Sequence, residues 1–139
     1  MRLNKYLAKA GLASRRKCDE LIRKGLININ GVIIDDLSTK VKENDYVLYK
    51  NKLVQLKFNP VVYLLNKPKG VISTVNDPQN RKTIMDFFQT EERLFPIGRL
   101  DRDTTGVILV TNDGDLAHKL MHPKYKIERK YIVHTKLNI

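Results

Sequence analysis

Gly98-Arg99-Leu100-Asp101-Arg102-Asp103-Thr104-Thr105-Gly106 runs without a break into Val107-Ile108-Leu109-Val110-Thr111, and the chain then turns at Asn112-Asp113-Gly114. The second piece is almost wholly β-branched or aliphatic between two glycine-bearing turns, the pattern of a buried strand. The first piece is polar and carries Arg99, Asp101, Arg102 and Asp103 within a few residues. An aspartate on a loop held by strands is well placed as a nucleophile or base. A flanking arginine would favour its charged form. The same residues also suit a plain Arg–Asp turn, and local chemistry leaves both readings open.

Downstream of this stretch, residues 115–121 fit a helix ended by His122-Pro123, and Tyr131-Ile132-Val133-His134 reads as a last strand. Upstream, residues 95–98 are expected to be extended, because a residue before proline avoids the helical region. A short helix is expected over 83–88, with Ile84, Phe87 and Phe88 inward, after a loop around Pro78. The apolar run 61–65 reads as a buried strand. Lys67-Pro68-Lys69-Gly70 would then turn it into a hairpin with Val71-Ile72-Ser73-Thr74. Residues 51–60 read as a linker.

The first 50 residues follow a different pattern. Leu3, Tyr6, Leu7 and Ala10 share one helical face, with Arg2, Lys5 and Lys9 on another, and Gly11 marks the stop. Ser14 can cap a second helix whose buried stripe is Cys18, Leu21 and Ile22, ending at Gly25. Arg15, Arg16 and Lys17 crowd its N-terminus, where cations oppose the helix dipole; a use outside folding and a plain solvated face both fit. Arg23 and Lys24 follow at its other end. Leu26-Ile27-Asn28-Ile29 and Val32-Ile33-Ile34 flank Asn30-Gly31, a strong hairpin signal, and Asp45-Tyr46-Val47-Leu48-Tyr49 reads as a third strand.

The net charge is +11, and residues 1–60 hold 13 Lys/Arg against 6 Asp/Glu while 61–139 hold 13 against 9. An excess of this size suits a polyanionic partner, with the front end the stronger candidate for phosphate contacts. No segment approaches the roughly 18 consecutive apolar residues of a membrane helix. No signal peptide is read at the N-terminus, and Cys18 is the only cysteine, so a cytoplasmic protein is expected.

Gly98-Arg99-Leu100-Asp101, then Asp103-Thr104-Thr105-Gly106, the aliphatic strand and Thr111-Asn112-Asp113-Gly114 resemble the signature of pseudouridine synthases that act on ribosomal RNA. Leu65-Asn66-Lys67-Pro68-Lys69-Gly70-Val71 is similar to that family's opening hairpin. Leu120-Met121-His122-Pro123 and Ile127-Glu128-Arg129-Lys130-Tyr131 are similar to its downstream basic-Tyr motif. In the first 50 residues, Leu3-Asn4-Lys5-Tyr6-Leu7-Ala8, Gly11, Ser14-Arg15-Arg16, Ile22, Gly25 and Asn30-Gly31 resemble the RNA-binding module named after ribosomal protein S-four.

The resemblance implies conversion of a specific uridine to pseudouridine in ribosomal RNA, the stretch around Tyr131 pointing to the large subunit. It implies Asp101 as the catalytic carboxylate, attacking the ribose anomeric carbon or taking a sugar proton while the base leaves. Tyr131 would stack on the uracil and help remove its C5 proton, and Arg99 would position the RNA. Lys5, Lys9, Arg15, Arg16, Lys17, Arg23 and Lys24 would hold RNA phosphates. No cofactor or metal is implied, and a monomer is expected. The family fold also continues into a later motif that supplies a basic partner for the aspartate, and the sequence ends at Ile139 before it. A fragment of a longer protein and a truncated enzyme both fit. If the sequence is the whole product, the sheet would lack strands, and 107–110 could be left unpaired and exposed.

The resulting expectation is an α+β protein. Residues 1–50 form an RNA-binding module of two helices and short strands, 51–60 a linker, and 61–139 the first part of a mixed, mainly antiparallel catalytic domain. The rival is an RNA-binding protein without catalysis. His118 and His122, four apart, lack the third ligand of a metal site. A two-carboxylate glycosidase would need a sugar cleft rich in aromatics, and the chain has no Trp.

Overall fold

In the computed structural model, which describes residues 1–56 and 59–136, the periodic apolar positions of the first 25 residues become α1 (Leu3–Lys9) and α2 (Arg15–Arg23). Each helix ends in the same way. Past α1, Gly11 N donates to Ala8 O and Leu12 N to Leu7 O; past α2, Gly25 N donates to Ile22 O and Leu26 N to Leu21 O. These paired bonds satisfy carbonyls that a helix end leaves free, and Gly25 supplies the left-handed residue they require (φ +64°). Ser14 Oγ accepts from Lys17 N at 3.1 Å, the expected cap of α2. Leu3, Leu7, Cys18 and Ile22 face each other in a core shared with Ile27, Ile29, Val41 and Val47.

The strands close that core as an antiparallel sheet in the order β2 (Val32–Ile34), β1 (Ile27–Ile29), β3 (Val47–Tyr49), β4 (Lys52–Leu53). Asn30 and Gly31 both adopt positive φ (53° and 89°), the backbone a two-residue hairpin turn demands. Lys50 and Asn51 repeat this at φ 47° and 61° and join β3 to β4. The stretch read as linker therefore contributes a strand, because its Lys-Asn pair takes a turn geometry that Asn tolerates readily. Lys57 and Phe58, also in that stretch, lie outside the described residues.

The second unit has its own core of Val71, Ile84, Leu94 and Val110. Its sheet has the order β5 (Val62–Lys67), β7 (Gly106–Thr111), β6 (Phe95–Ile97), all antiparallel. Two expectations are corrected here. Residues 107–110 are not unpaired, since β7 is the central strand, with Leu64 opposite Leu109 on one side and Ile97 opposite it on the other. Nor does β5 form a hairpin with residues 71–74, where only Ile72 makes a bridge, to Thr83. The Val71 carbonyl is occupied by the Lys67 ammonium at 2.9 Å, not by a ladder N–H.

One sheet face covers the core through Leu65, Ile108 and Val110; the other leaves Leu64 68 % and Val107 62 % exposed. A 3-10 turn over Ile84–Phe87 replaces the expected short helix; Ile84 is buried but Phe87 is exposed. Asp113 caps α3 (Gly114–Met121) by accepting from Asp115 N and Leu116 N. The strand expected at 131–134 is absent: these residues are irregular and exposed, pairing with neither β5 nor β6.

Candidate functional site

The loop between β6 and β7 is pinned by its backbone. Ser73 Oγ donates to Leu100 O at 2.7 Å and accepts from Leu100 N at 3.0 Å. On the other side of Asp101, the Arg102 carbonyl accepts from Gly70 N at 2.8 Å and from Lys67 Nζ at 3.0 Å. Thr104 N closes the turn onto Asp101 O at 3.1 Å. The Asp101 side chain is left exposed and makes no hydrogen bond or ion pair among the described residues. A carboxylate held by rigid backbone yet open to solvent is available to a reacting group.

Lys67 is the residue that local sequence reasoning missed. Its side chain is fully buried, and its ammonium donates to the carbonyls of Pro68, Val71 and Arg102 at 2.9–3.0 Å. Burial pulls its pKa down, opposed by the charges of Asp103 and Asp101. It is thus a structural pin whose charge is felt together with those of Asp103 and Asp101. The signal in the sequence was a lysine closing an apolar run just before Pro68-Lys69-Gly70.

The expected Arg–Asp pairing is not formed: Arg99 is exposed and makes no ion pair with Asp101 among the described residues. Both side chains are exposed on the loop. Tyr131 is 64 % exposed, and no hydrogen bond or ring contact links it to the loop among the described residues. The structure therefore brings together Asp101, Lys67 and Ser73, and leaves Arg99 and Tyr131 apart from them.

The basic cluster divides in two. Arg15, Arg16, Lys17, Arg23 and Lys24 lie exposed along or just beyond α2, with Lys17 paired to Glu20 at 2.6 Å. Lys5 and Lys9, on α1, reach across to α3, where Lys5 Nζ meets Asp115 Oδ1 at 2.5 Å and Lys9 Nζ lies 3.8 Å from Asp115 Oδ2. The hydrogen bond from Lys5 holds the Asp115 carboxyl below its usual range. The His118 and His122 rings lie 4.9 Å apart, tilted by 47°. Among the described residues no group of three or more His, Cys, Asp or Glu is placed to hold a metal ion, and no helix is long and apolar enough to cross a membrane.

Residues 61–139 match the family described as RNA pseudouridylate synthase, and residues 1–47 match the S4 domain. A ribosomal large subunit pseudouridine synthase B of Bacillus subtilis is 47 % identical over 136 residues, covering 97 % of this chain and 55 % of that protein. An uncharacterized RNA pseudouridine synthase of Mycobacterium leprae is 40 % identical over 141 residues, covering 98 % of this chain and 55 % of its own length. A crystal structure of a pseudouridylate synthase aligns over 90 % of this chain and 54 % of its own, at 31 % identity and a TM-score of 0.48. The chain spans about half the length of the curated relatives it matches.

Proposed function

The chain belongs to the RNA pseudouridylate synthase family, with an S4 domain in front, and from that premise we propose that it isomerises a uridine of large-subunit ribosomal RNA, with Asp101 as the catalytic carboxylate. The observation that carries this reading is the exposed Asp101 side chain on a backbone clamped by Ser73, Gly70 and Lys67. The target uridine has to leave its stack to reach such a loop. Asp101 attacks the anomeric carbon or takes a sugar proton as the bond from C1′ to N1 breaks. The freed uracil turns and C5 bonds to C1′, which on the first route breaks the Asp101 oxygen–C1′ bond and frees the carboxylate, and on the second is accompanied by return of the sugar proton from Asp101; the C5 proton then leaves and N1 gains one. Atoms and electrons balance within the nucleoside, so no cofactor or metal is required. Arg99 positions the extruded nucleotide, and Tyr131 stacks on the uracil and assists loss of the C5 proton. The α2 cations hold the RNA backbone, and the protein works as a cytoplasmic monomer.

A second reading, RNA binding without catalysis, is favoured by one observation: Tyr131 lies outside the sheet and away from contact with the Asp101 loop. Release of tritium from C5-labelled uridine in a ribosomal RNA fragment separates the two. Under the first reading the wild type releases label and Asp101→Asn slows release by about 10²–10⁴-fold. Unchanged release by Asp101→Asn sinks the assignment. RNA binding by the wild type with no release supports the second reading.

A further inference from the structure

Between α1 and the β6–α3 side of the second unit lies a cavity of about 790 Å³. Lys5, Lys9 and Arg15 line it from the first unit, and Arg93, Phe95 and Asp115 from the second. Its volume falls within the roughly 300–1,000 Å³ of ligand-binding clefts. The whole lining holds four Lys or Arg against two Asp, Asp113 and Asp115, in a protein that carries a net +11. Arg93 belongs to no motif singled out in the sequence, yet it faces the same space as the α1 lysines. Its charge is felt by the Cys18 thiol on α2, which burial pushes up and Arg93 draws back. The Arg93 guanidinium also sits 6.0 Å from the centre of the Phe95 ring. Cations beside an aromatic face are what a groove for single-stranded nucleic acid combines, charge for the backbone and a ring for a base.

Asp113 and Asp115 are the exceptions in sign, and Asp115 is the one that meets the lysines. It engages Lys5 at 2.5 Å and Lys9 at 3.8 Å, and its side chain is 50 % exposed. An ion pair this open to water is weak and readily exchanged. Its carboxylate lies where an anionic ligand would meet the two lysines.

We propose that this inter-unit cleft binds the sugar–phosphate backbone of single-stranded RNA, with Arg93 as its cation from the second unit and Asp115 holding Lys5 and Lys9 in the place that a phosphate takes. The proposal rests on the RNA reading above and extends it from the face of α2 into the space between the units. It requires opposite effects from two neighbouring substitutions: removing Arg93 weakens binding, and removing the charge of Asp115 strengthens it.

Fluorescence anisotropy with a labelled single-stranded ribosomal RNA fragment, titrated with the whole chain at several KCl concentrations, tests this. Arg93→Ala is expected to weaken binding about 3–10-fold and to lower the salt slope by about 0.7, the share of one phosphate contact on a single strand. Arg93→Lys, which keeps the charge, should retain the slope. Asp115→Asn is expected to tighten binding about 2–5-fold. Unchanged affinity and slope in Arg93→Ala, a loss in Arg93→Lys as large as in the alanine variant, or weaker or equal binding by Asp115→Asn overturns the proposal while wild-type binding keeps the RNA reading intact. No RNA binding by the wild type overturns both.

Discussion

Lys67 carries the residue-scale lesson. Lysine is almost never fully buried unless its charge is satisfied. Here three carbonyls from two separate loops do so. Lys67→Met keeps the bulk and removes the donor, leaving those carbonyls without that partner. Each buried unsatisfied group costs about 1–3 kcal/mol, so a clear drop in the urea midpoint is expected. Loss of the Arg102 tether should also loosen the Asp101 loop, seen as faster amide exchange at Thr104. Equal stability and exchange would show that the clamp does not depend on Lys67. Asp77 offers a pH test. Its carboxylate accepts from Arg81 Nη2 at 2.7 Å, from Arg81 Nε at 3.0 Å and from Arg81 N at 2.9 Å, which lowers its pKa from 3.8 to about 2. A depressed carboxyl pKa adds stability above the ordinary value and loses it as the pH falls toward the folded one. Wild type should therefore lose stability between pH 3.8 and about 2 more steeply than Asp77→Asn, as followed by acid unfolding monitored by circular dichroism.

Among the elements, those written in local signals were legible. The 3.6-residue spacing of Leu3 and Leu7, the serine before α2, the glycines after both helices and the Asn30-Gly31 turn each act within a few residues of where they stand. Gly25 shows how much weight one such signal bears. A methyl group there would take a left-handed backbone and come within 3.2 Å of Ile33 Cγ2. Gly25→Ala is expected to cost about 1–2 kcal/mol from the backbone alone, with the contact adding to it. At Gly31 nothing lies within 4 Å, so Gly31→Ala should cost less; equal thermal shifts for the two variants would count against the role of Ile33. Pairing between distant strands was not legible. An apolar run does not name its partner, so β5 was read with residues 71–74 when its partner is β7. Residues 131–134 are apolar and β-branched enough to read as a strand, but a strand exists only beside an edge that bonds to it.

At the scale of the whole molecule, the uneven charge could be read from the sequence, with 13 Lys/Arg against 6 Asp/Glu in residues 1–60 and 13 against 9 in the rest. Contacts between the two ends of the chain could not, because Asp115 lies more than a hundred residues from Lys5 and Lys9 and nothing local links them. The same holds for Asp101: its motif could be read, whereas the backbone clamp around it depends on Ser73 and Lys67, which the fold alone brings close. The net charge sets a prediction for the entire chain. Arg15→Ala combined with Arg16→Ala removes two exposed cations and should lower the salt slope of RNA binding by about 1.4. An unchanged slope would place the RNA on another face. The exposed side of the β5–β7 sheet, with Leu64 and Val107 turned outward, has a practical consequence. At low ionic strength like charge keeps the molecules of this +11 chain apart in spite of that oily face. Raising salt from 0.1 M to 1 M shortens the screening length from about 10 Å to 3 Å and removes that mutual repulsion. The wash that strips nucleic acid from the protein is then also the condition that invites it to precipitate.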